Sequence, residues 1–249
     1  MSVQTAANLI EVFSSIQGEG LYVGCRQVFV RLAGCNISCR YCDTQESFLP
    51  QTSARIELQP GERVFAQIPN PVPLHRMVEA VAKLCQSPHH SVSITGGEPL
   101  LTPAAVFALA EIRSTGVRTF LETNGTLPAA LESVLSAVDI ISMDIKLPSS
   151  MNGKIFWQEH AEFLQIAAKK EVYVKVVLTG ETTEEEIFRT VELVSAVDGT
   201  IPVVLQPVTP VNDVTAVSAK KILQWQALAL EKLTTVRVIP QTHKLLGVM

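Results

Sequence analysis

The chain contains the run Gly34-Cys35-Asn36-Ile37-Ser38-Cys39-Arg40-Tyr41-Cys42-Asp43-Thr44, which sets three cysteines on one short loop with the spacing CxxxCxxC. Three thiolates can hold three irons of a cubane iron–sulfur cluster. The fourth iron then lacks a protein ligand and is open to a second molecule. We therefore predict that Cys35, Cys39 and Cys42 bind a 4Fe–4S cluster.

Two other readings of the cysteines are less favoured. A structural zinc site usually has four ligands in two pairs, whereas this loop offers three cysteines and no nearby histidine. A disulfide scaffold is disfavoured because five cysteines in 249 residues are sparse and odd in number. Zinc and free thiols remain the alternatives to the cluster, and we interpret Cys25 and Cys85 as small buried hydrophobes.

Composition indicates an ordinary globular enzyme. The 249 residues are 47% hydrophobic and 18% charged, which suffices for one sizeable core, and we predict a single domain over residues 1–249. A net charge of −4 argues against a general nucleic-acid binder. The start of the chain lacks the features of a signal peptide, and no apolar run reaches the ~20 residues that span a bilayer. We expect a cytoplasmic protein that binds neither nucleic acid nor membrane.

Strand-like apolar runs alternate with helical stretches along the chain. The predicted strands are Val28–Ala33, Val92–Thr95, Thr119–Thr123, Ile140–Ile145, Val172–Leu178, Val203–Val208 and a last one at Val236–Ile239. The predicted helices are Leu74–Cys85, Ala104–Ser114, Pro128–Ser136, Trp157–Ala168, Thr183–Ala196 and Ala216–Leu233. Nearly continuous apolar strands suggest a parallel sheet buried on both faces. The pattern predicts an α/β fold, a partial (βα)6 barrel with Leu9–Ile16 as an N-terminal strand extension.

The segment Ser47–Pro73 breaks this regular pattern. Its many prolines argue against a long helix. We interpret it as a surface insertion with a short hairpin around Pro60-Gly61, and the alternative is a lid over the active site.

Polar and glycine-rich motifs follow several of the predicted strands, where barrels of βα units place their chemistry. Ile94-Thr95-Gly96-Gly97-Glu98-Pro99 contains two glycines, whose lack of side chains would let a ligand reach the backbone. The less favoured alternative is a plain turn. Leu121-Glu122-Thr123-Asn124-Gly125 and Ser142-Met143-Asp144-Ile145-Lys146 end the next two strands. With the cysteine spacing, these motifs closely resemble the radical S-adenosylmethionine (SAM) superfamily.

The resemblance implies a complete set of cofactor contacts. The amino and carboxylate groups of SAM would chelate the open iron, and an electron from the reduced cluster would release a 5′-deoxyadenosyl radical. Glu122 could accept the ribose hydroxyls and Lys146 could offset the SAM carboxylate. Since Asp144 and Lys146 are two residues apart on one strand, they could instead simply pair with each other. The full set of predicted cofactor-binding residues is Tyr41, Asp43, Gly96, Gly97, Glu98, Glu122, Ser142, Asp144, Lys146 and Gln206.

Further motifs indicate a narrower family. The run Glu11-Val12-Phe13-Ser14-Ser15-Ile16-Gln17-Gly18-Glu19-Gly20, with Arg31, Asp43-Thr44 and Gln241-Thr242-His243-Lys244, closely resembles the 7-carboxy-7-deazaguanine synthases. That family acts in the pathway to queuosine and other deazapurines. The resemblance implies conversion of 6-carboxy-5,6,7,8-tetrahydropterin to 7-carboxy-7-deazaguanine with ring contraction and loss of ammonia. Hydrogen abstraction from C6, a bridged radical and regeneration of SAM are implied with it.

The residue types suit that substrate. Gln17 and Glu19, with the backbone of Ile16 and Gly18, could read the donor–acceptor edge of a pterin, and Arg31 could bind its carboxylate bidentately. The family resemblance suggests that Thr44 binds a Mg2+ ion that also holds substrate oxygens. The predicted substrate-binding residues are Ile16, Gln17, Gly18, Glu19, Arg31, Thr95, His243 and Met249, the last through its terminal carboxylate.

The sequence also departs from the family. Many members have tryptophan where Tyr41 stands, and many have Ser-Pro-Lys where this chain has Met143-Asp144-Ile145-Lys146. The second difference favours an activating enzyme of glycyl-radical enzymes, which acts on a protein. A non-enzymatic metal-binding module is the other alternative. For the favoured function we expect a flavodoxin or ferredoxin-like reductant and a homodimer.

Overall fold

The computed structural model describes residues 4–211 and 213–248. Its strands are β1 Ala6–Ala7, β2 Leu9–Ile16, β3 Arg26–Leu32, β4 Ser53–Glu57, β5 Phe65–Pro69, β6 Val72–Pro73, β7 Ser91–Gly96, β8 Arg118–Thr123, β9 Ile140–Ile145, β10 Glu171–Leu178, β11 Val203–Pro207 and β12 Val236–Val238. Its helices are α1 Leu74–Leu84, α2 Pro103–Leu109, α3 Pro128–Val134, α4 Trp157–Ala167, α5 Glu184–Asp198, α6 Ala219–Leu230 and α7 Thr242–Leu246.

The main sheet has ten strands in the order β12-β11-β10-β9-β8-β7-β3-β2-β4-β5. From β3 through β7 to β12 every neighbouring pair is parallel, and α1 to α6 lie between successive strands along the chain. The strand β2 is antiparallel to β3 and extends the sheet beyond the parallel part. This arrangement confirms the predicted α/β partial barrel with an N-terminal strand extension.

Capping residues account for two helix boundaries. The side chain of Thr183 accepts the backbone N–H of Glu186, whose carboxylate accepts the N–H of Thr183, so α5 begins with a capping box. The hydroxyl of Ser218 accepts the N–H of Lys221. Because that cap fixes the start of α6 at Ala219, the helix begins later than the predicted Ala216.

The parallel strands have an apolar outer face and an inner face that is apolar toward the amino-terminal ends of the strands and polar toward their carboxyl ends. Residues such as Val30, Ile94 and Met143 belong to the large core between sheet and helices. Their neighbours along the same strands, such as Arg31 and Asp144, line the inside of the barrel instead. The strands are therefore buried on both faces, as expected, and their inner face differs from the outer one in carrying polar side chains where it lines the cavity.

Aromatic side chains fill the amino-terminal end of the barrel. Phe120, Ile140, Tyr173 and Val204 form a separate buried cluster, and Tyr22 packs against it. The ring centroids of Tyr22 and Phe120 are 5.3 Å apart in an edge-on contact. This packing leaves the carboxyl ends of the strands as the open end of the barrel.

The segment Ser47–Pro73 forms the predicted hairpin. Strands β4 and β5 pair antiparallel, and β4 adds to β2 at the edge of the main sheet. The buried carboxylate of Glu57 accepts the backbone N–H groups of Ser14, Gly61 and Arg63 at 2.7, 3.0 and 2.9 Å. The turn is thereby tied to β2, and the hairpin extends the sheet. In the described part of the chain, no helix has the length and apolar character needed to cross a membrane.

Candidate active site

A cavity of about 430 Å³ opens at the carboxyl ends of the parallel strands. Its lining includes these predicted residues: Ile16, Gln17, Gly18, Glu19, Arg31, Cys35, Cys39, Tyr41, Cys42, Asp43, Thr44, Thr95, Gly96, Gly97, Glu122, Ser142, Asp144, Lys146, Gln206 and His243. Glu98 lies behind the wall, and Met249 falls outside the described residues. From the segment Ser47–Pro73 the cavity touches Ser47 and Phe48, so the hairpin itself is not a lid.

The cluster loop and the Gly96-Gly97 turn are built against each other. The N–H of Gly97 donates to the carbonyl of Leu32 at 3.0 Å, and the N–H of Glu98 donates to that of Gly34 at 2.7 Å. Gly96 has φ +123°, and a Cβ atom there would overlap the backbone of Leu32, as one at Gly97 would overlap Gly34. The glycines are thus required for backbone packing as well as for access by a ligand.

Burial is the main influence on the pKa of the three cysteine thiols. Desolvation raises the pKa of Cys35, Cys39 and Cys42, while the Lys146 ammonium acts to lower the pKa of each. Within residues 4–211 and 213–248, no three His, Cys, Asp or Glu side chains converge enough to share one metal ion. A cubane cluster requires no such convergence, because each thiolate binds its own iron.

Glu98 supports the wall from behind. One oxygen of its carboxylate accepts the N–H of Leu100 and the hydroxyl of Thr123, and the other accepts the N–H of Asn124. Complete burial raises the pKa of Glu98 to about 7, although these hydrogen bonds oppose the rise. The side chain joins the ends of β7 and β8, so a direct contact with a cofactor would have to come from the backbone.

The strand ends β9 and β11 supply acceptors that suit the donors of SAM. Lys146 Nζ lies 2.6 Å from Asp144 Oδ2 and 3.4 Å from the hydroxyl of Tyr41, so the predicted alternative pairing of Asp144 with Lys146 is present. Asp144 Oδ1 and Gln206 Oε1 are buried and lack a hydrogen-bond donor in the described part of the chain. Buried acceptors without donors are costly, and SAM brings ribose hydroxyls and amino groups that could satisfy them.

Glu122 joins the predicted substrate and cofactor residues. Its Oε1 accepts from the Gln17 side-chain amide and from the hydroxyl of Ser93, both at 2.8 Å. Its Oε2 accepts from the hydroxyl of Thr95 at 3.0 Å. The carboxylate therefore fixes two predicted substrate residues, Gln17 and Thr95, in addition to facing the cavity.

Glu19 is held as a carboxylate by two partners. It forms an ion pair with Lys175, and its Oε1 accepts from the side-chain amide of Gln241 at 2.7 Å. Burial by itself would raise the pKa of Glu19, but the Lys175 ammonium and these hydrogen bonds lower it to about 2. Glu19 is ionised at neutral pH and presents a charge suited to N–H donors.

The C-terminal segment folds over this edge of the cavity. The N–H of Thr242 donates to the carbonyl of Gly18 at 2.8 Å, and a Cβ atom on Gly18 would overlap the ring of His243. Gln241 and Lys244 each contact Asp43 Oδ2 at 3.2 Å. Residues from both ends of the sequence and from the cluster loop thus meet at one place.

Arg31 is oriented by a buried carboxylate. Its Nε donates to Glu11 Oε1 at 3.0 Å, and its guanidinium carbon lies 5.8 Å from the ring centre of Phe13. Arg55, on the hairpin strand β4, forms an ion pair with the other oxygen of Glu11. Because Glu11 engages Nε, the terminal amino groups of Arg31 can address a ligand carboxylate.

Three functional candidates were missed by the sequence reasoning. Lys175 lies within a strand and lines the cavity, and Glu11 and Gln241 belonged to recognised motifs without an assigned contact. Strand alternation carried a signal, since Glu11 is directly paired with Arg31 and Lys175 with Asp144 in the sheet register. A search for charged residues on the inner face of each strand would have identified Lys175 and Glu11, but not Gln241, which lies outside the strands.

Comparison with known proteins agrees with this geometry. The model of the Radical SAM superfamily matches residues 30–194. The chain is 44% identical over 244 residues to 7-carboxy-7-deazaguanine synthase from Geobacter sulfurreducens, covering 97% of each chain. It is 36% identical over 260 residues to the synthase of that name from Methanothermobacter thermautotrophicus, again covering 97% of each.

A solved structure supports the same architecture. The crystal structure of QueE from Escherichia coli has a TM-score of 0.61 with this chain at 20% identity, and the match covers 97% of this chain and 96% of that one. At that identity the likeness establishes the fold alone. The cysteine loop, the barrel and the close relatives together lead to one conclusion: the chain belongs to the radical SAM superfamily and, within it, to the 7-carboxy-7-deazaguanine synthase family.

Proposed function

We propose that this chain converts 6-carboxy-5,6,7,8-tetrahydropterin to 7-carboxy-7-deazaguanine with loss of ammonia, as a lyase of deazapurine biosynthesis. The observation that carries the proposal is the composition of one cavity. Its wall combines the three loop cysteines with Gln17, Glu19, Arg31 and His243. A substrate held by the second set would lie beside whatever the cysteines bind.

The cofactors are assigned to residues that fit them. Cys35, Cys39 and Cys42 would hold a 4Fe–4S cluster, and the acceptors Asp144 Oδ1 and Gln206 Oε1 would receive donors of SAM. When bound, the cluster and SAM supply one-electron chemistry that generates a carbon radical for hydrogen abstraction at C6. The part of the protein is to fix the pterin, so that its reacting carbon is held in one position.

Charge complementarity orients the substrate. Arg31 would bind the pterin carboxylate with its terminal amino groups while Glu11 holds its Nε. Glu19, whose pKa is about 2, would accept N–H donors of the pyrimidine ring. Gln17 and Thr95 are held in place by hydrogen bonds to Glu122 and would complete the polar side of the cavity that faces the pterin.

Four parts of the proposal rest on the family resemblance. Thr44 would bind Mg2+, and its hydroxyl together with the neighbouring Asp43 carboxylate, 3.2 Å away, offers the hard oxygen ligands that Mg2+ accepts. A flavodoxin or ferredoxin-like protein would supply the electron. The enzyme would act as a homodimer in the cytoplasm.

The direct test is anaerobic reconstitution with iron and sulfide, followed by incubation with SAM, dithionite and carboxytetrahydropterin. We expect 7-carboxy-7-deazaguanine and ammonia, identified by mass spectrometry and an ammonia assay. A Cys39→Ala variant treated identically is the control. Formation of 5′-deoxyadenosine without the deazaguanine in repeated preparations would contradict the proposed substrate.

A further inference from the structure

Three charged side chains lie side by side on neighbouring strands at the edge of the cavity. Arg31 of β3 and Arg55 of β4 are both direct partners of Glu11 of β2 in the sheet register. Arg31 and Glu11 line the cavity, whereas Arg55 lies on the far side of Glu11. Since Arg55 belongs to the hairpin of β4 and β5, this row joins the segment Ser47–Pro73 to the cavity.

The Glu11 carboxylate is shared between the two arginines. Its Oε1 accepts from Arg31 Nε at 3.0 Å, and its Oε2 pairs with a terminal amino group of Arg55. The Glu11 side chain is only 7% exposed, whereas that of Arg55 is 51% exposed. The buried carboxylate is therefore held from both sides, and the hairpin supplies one of its two counter-charges.

The hairpin also holds Arg55 in place. The guanidinium carbon of Arg55 lies 5.2 Å from the ring centre of Phe65 on the paired strand β5, and a guanidinium over an aromatic ring is attracted to it. The hairpin is itself tied to β2, because the Glu57 carboxylate accepts the N–H of Ser14 at 2.7 Å. A half-exposed arginine thus has a defined position beside Glu11.

The balance of charge in this row determines what Arg31 can offer to a ligand. If Arg31 alone paired with Glu11, the pair would be neutral, and the carboxylate would compete with any ligand anion for the guanidinium. With Arg55 present, two positive charges share one negative charge, and the row keeps a net positive charge. Because charges interact more strongly at a partly desolvated site than in bulk water, this excess favours an anionic group beside Arg31.

We propose that Arg55 is a positioning residue that sets substrate specificity through Glu11. By taking up part of the negative charge of Glu11, Arg55 leaves the terminal amino groups of Arg31 available to the carboxylate of the substrate. The inference rests on the proposed function, because that function gives Arg31 a carboxylate to bind. It also assigns a role to the hairpin, which supplies the charge that selects a carboxylated pterin over one without this group.

Equilibrium binding measures the role of Arg55 without turnover. The cluster-reconstituted protein is titrated anaerobically in the presence of SAM and Mg2+ but without reductant. The two probes are 6-carboxypterin and unsubstituted pterin, and the readout is the ratio of their dissociation constants. For Arg55→Gln we expect the preference for carboxypterin to fall by about threefold to fivefold, the scale of an ion pair near the surface. The affinity for unsubstituted pterin should equal that of the wild type.

A second substitution separates the effect of charge from structural damage. Combining Glu11→Gln with Arg55→Gln again leaves one positive charge in the row, on Arg31, and the new side-chain amide can still accept from Arg31 Nε. We expect this double variant to recover most of the preference that Arg55→Gln loses, whereas structural damage would add to the loss. Arg55→Lys keeps the charge and should retain most of the preference. Arg76→Gln, on the exposed side of α1, is the matched control and should leave the preference unchanged.

The outcomes separate this inference from the proposed function. A wild-type preference in Arg55→Gln would overturn the role of Arg55, and so would a double variant whose preference is no higher than that of Arg55→Gln. A wild type that binds both probes equally would contradict the Arg31 contact of the proposed function and, with it, this inference.

Discussion

Oppositely charged side chains alternate along one wall of the cavity. Glu19, Lys175, Asp144 and Lys146 follow one another in contact, and their formal charges cancel. Burial would lower the pKa of Lys175 and Lys146, but the neighbouring carboxylates raise both well above the usual value. Glu19, Lys175 and Lys146 therefore keep their charges at neutral pH, and removal of one member of the row leaves its buried partner without a counter-charge.

The cysteine assignment gives the first prediction. Cys35→Ala, Cys39→Ala and Cys42→Ala should each abolish the brown 4Fe–4S absorption and the activity together, because each removes the ligand of one iron. Cys25→Ala and Cys85→Ala are matched controls and should spare both. Visible absorption and iron content after anaerobic reconstitution measure the effect, and an intact cluster in the Cys39 variant would contradict the ligand set.

Arg31 provides the second prediction. Arg31→Ala should weaken substrate binding by about 1.5–3 kcal/mol, the scale of a hydrogen bond to a charged group. Titration with carboxypterin and with a pterin that lacks the carboxylate makes the test specific, since the variant should lose the preference between them. The exposed Arg76→Ala on α1 serves as the control. An unchanged preference in Arg31→Ala would rule out the carboxylate contact.

Thr44 gives the third prediction. Thr44→Ala should reduce product formation while SAM cleavage is largely kept, because it removes a proposed Mg2+ ligand and no ligand of the cluster. Parallel assays of 5′-deoxyadenosine and deazaguanine over a Mg2+ series measure this. A wild-type rate that is indifferent to Mg2+ would show the assignment to be wrong.

Among the helices, α4 fixes two strand ends through His160. Its Nδ1–H donates to the carbonyl of Gly125, and its Nε2 accepts the N–H of Lys146, both at 3.0 Å. The side chain is fully buried, and burial lowers the pKa of His160 from 6.5 to about 4. A neutral imidazole thus joins the ends of β8 and β9 beneath the proposed SAM site.

The fourth prediction follows from that pKa. Between pH 6.5 and pH 4 the unfolded chain binds a proton at this histidine more readily than the folded one. The stabilisation is therefore complete above pH 6.5 and is lost as the pH falls toward 4, by up to about 3 kcal/mol. His160→Gln can still accept the N–H of Lys146 but does not titrate. Urea unfolding at several pH values should show the wild type losing stability relative to this variant in that window, and parallel pH profiles would contradict it.

Among the secondary-structure elements, most strands and helices could be predicted from the sequence. Runs such as Ile140–Ile145 carry enough Val and Ile to identify a strand, and Thr183 with Glu186 marks a helix start. The hairpin around Pro60-Gly61 was also predicted. The pairing of Lys175 with Glu19 was not, because the two residues lie 156 positions apart in the sequence and no local pattern connects them. Local residue patterns predict helices and strands, whereas side-chain pairs across the barrel depend on the register of strands that are distant in the sequence.

For the whole molecule, distant segments meet at the cavity edge. The N-terminal Gly18-Glu19, the cluster-loop Asp43 and the C-terminal Gln241 to Lys244 form one set of contacts. Arg63 of the hairpin adds a hydrogen bond of 2.8 Å to the carbonyl of Gly247. The motifs had predicted which residues belong together, but the sequence did not show that α7 would pack directly on Gly18.

Gly18 gives the fifth prediction. Gly18→Ala should push His243 and α7 away, because the new methyl group would overlap the imidazole ring. Substrate affinity should fall by about tenfold, equivalent to 1.4 kcal/mol of lost contact, while cluster content and SAM binding are kept. Gly199→Ala, at a site with more room beside α5, is the control. Wild-type affinity in Gly18→Ala would show that His243 does not contribute to the substrate site.

Because Thr242 is synthesised long after Gly18, the contact between them can form only late in translation. The cysteine loop and the strands β2 to β11 leave the ribosome before α7 does, so a nascent chain can assemble most of the barrel while Glu19 still lacks Gln241. The proposed substrate edge is completed only when the last described helix emerges. Chains that end before Gln241 would therefore retain the iron-binding loop but lack one of the contacts that hold Glu19 in the proposed substrate site.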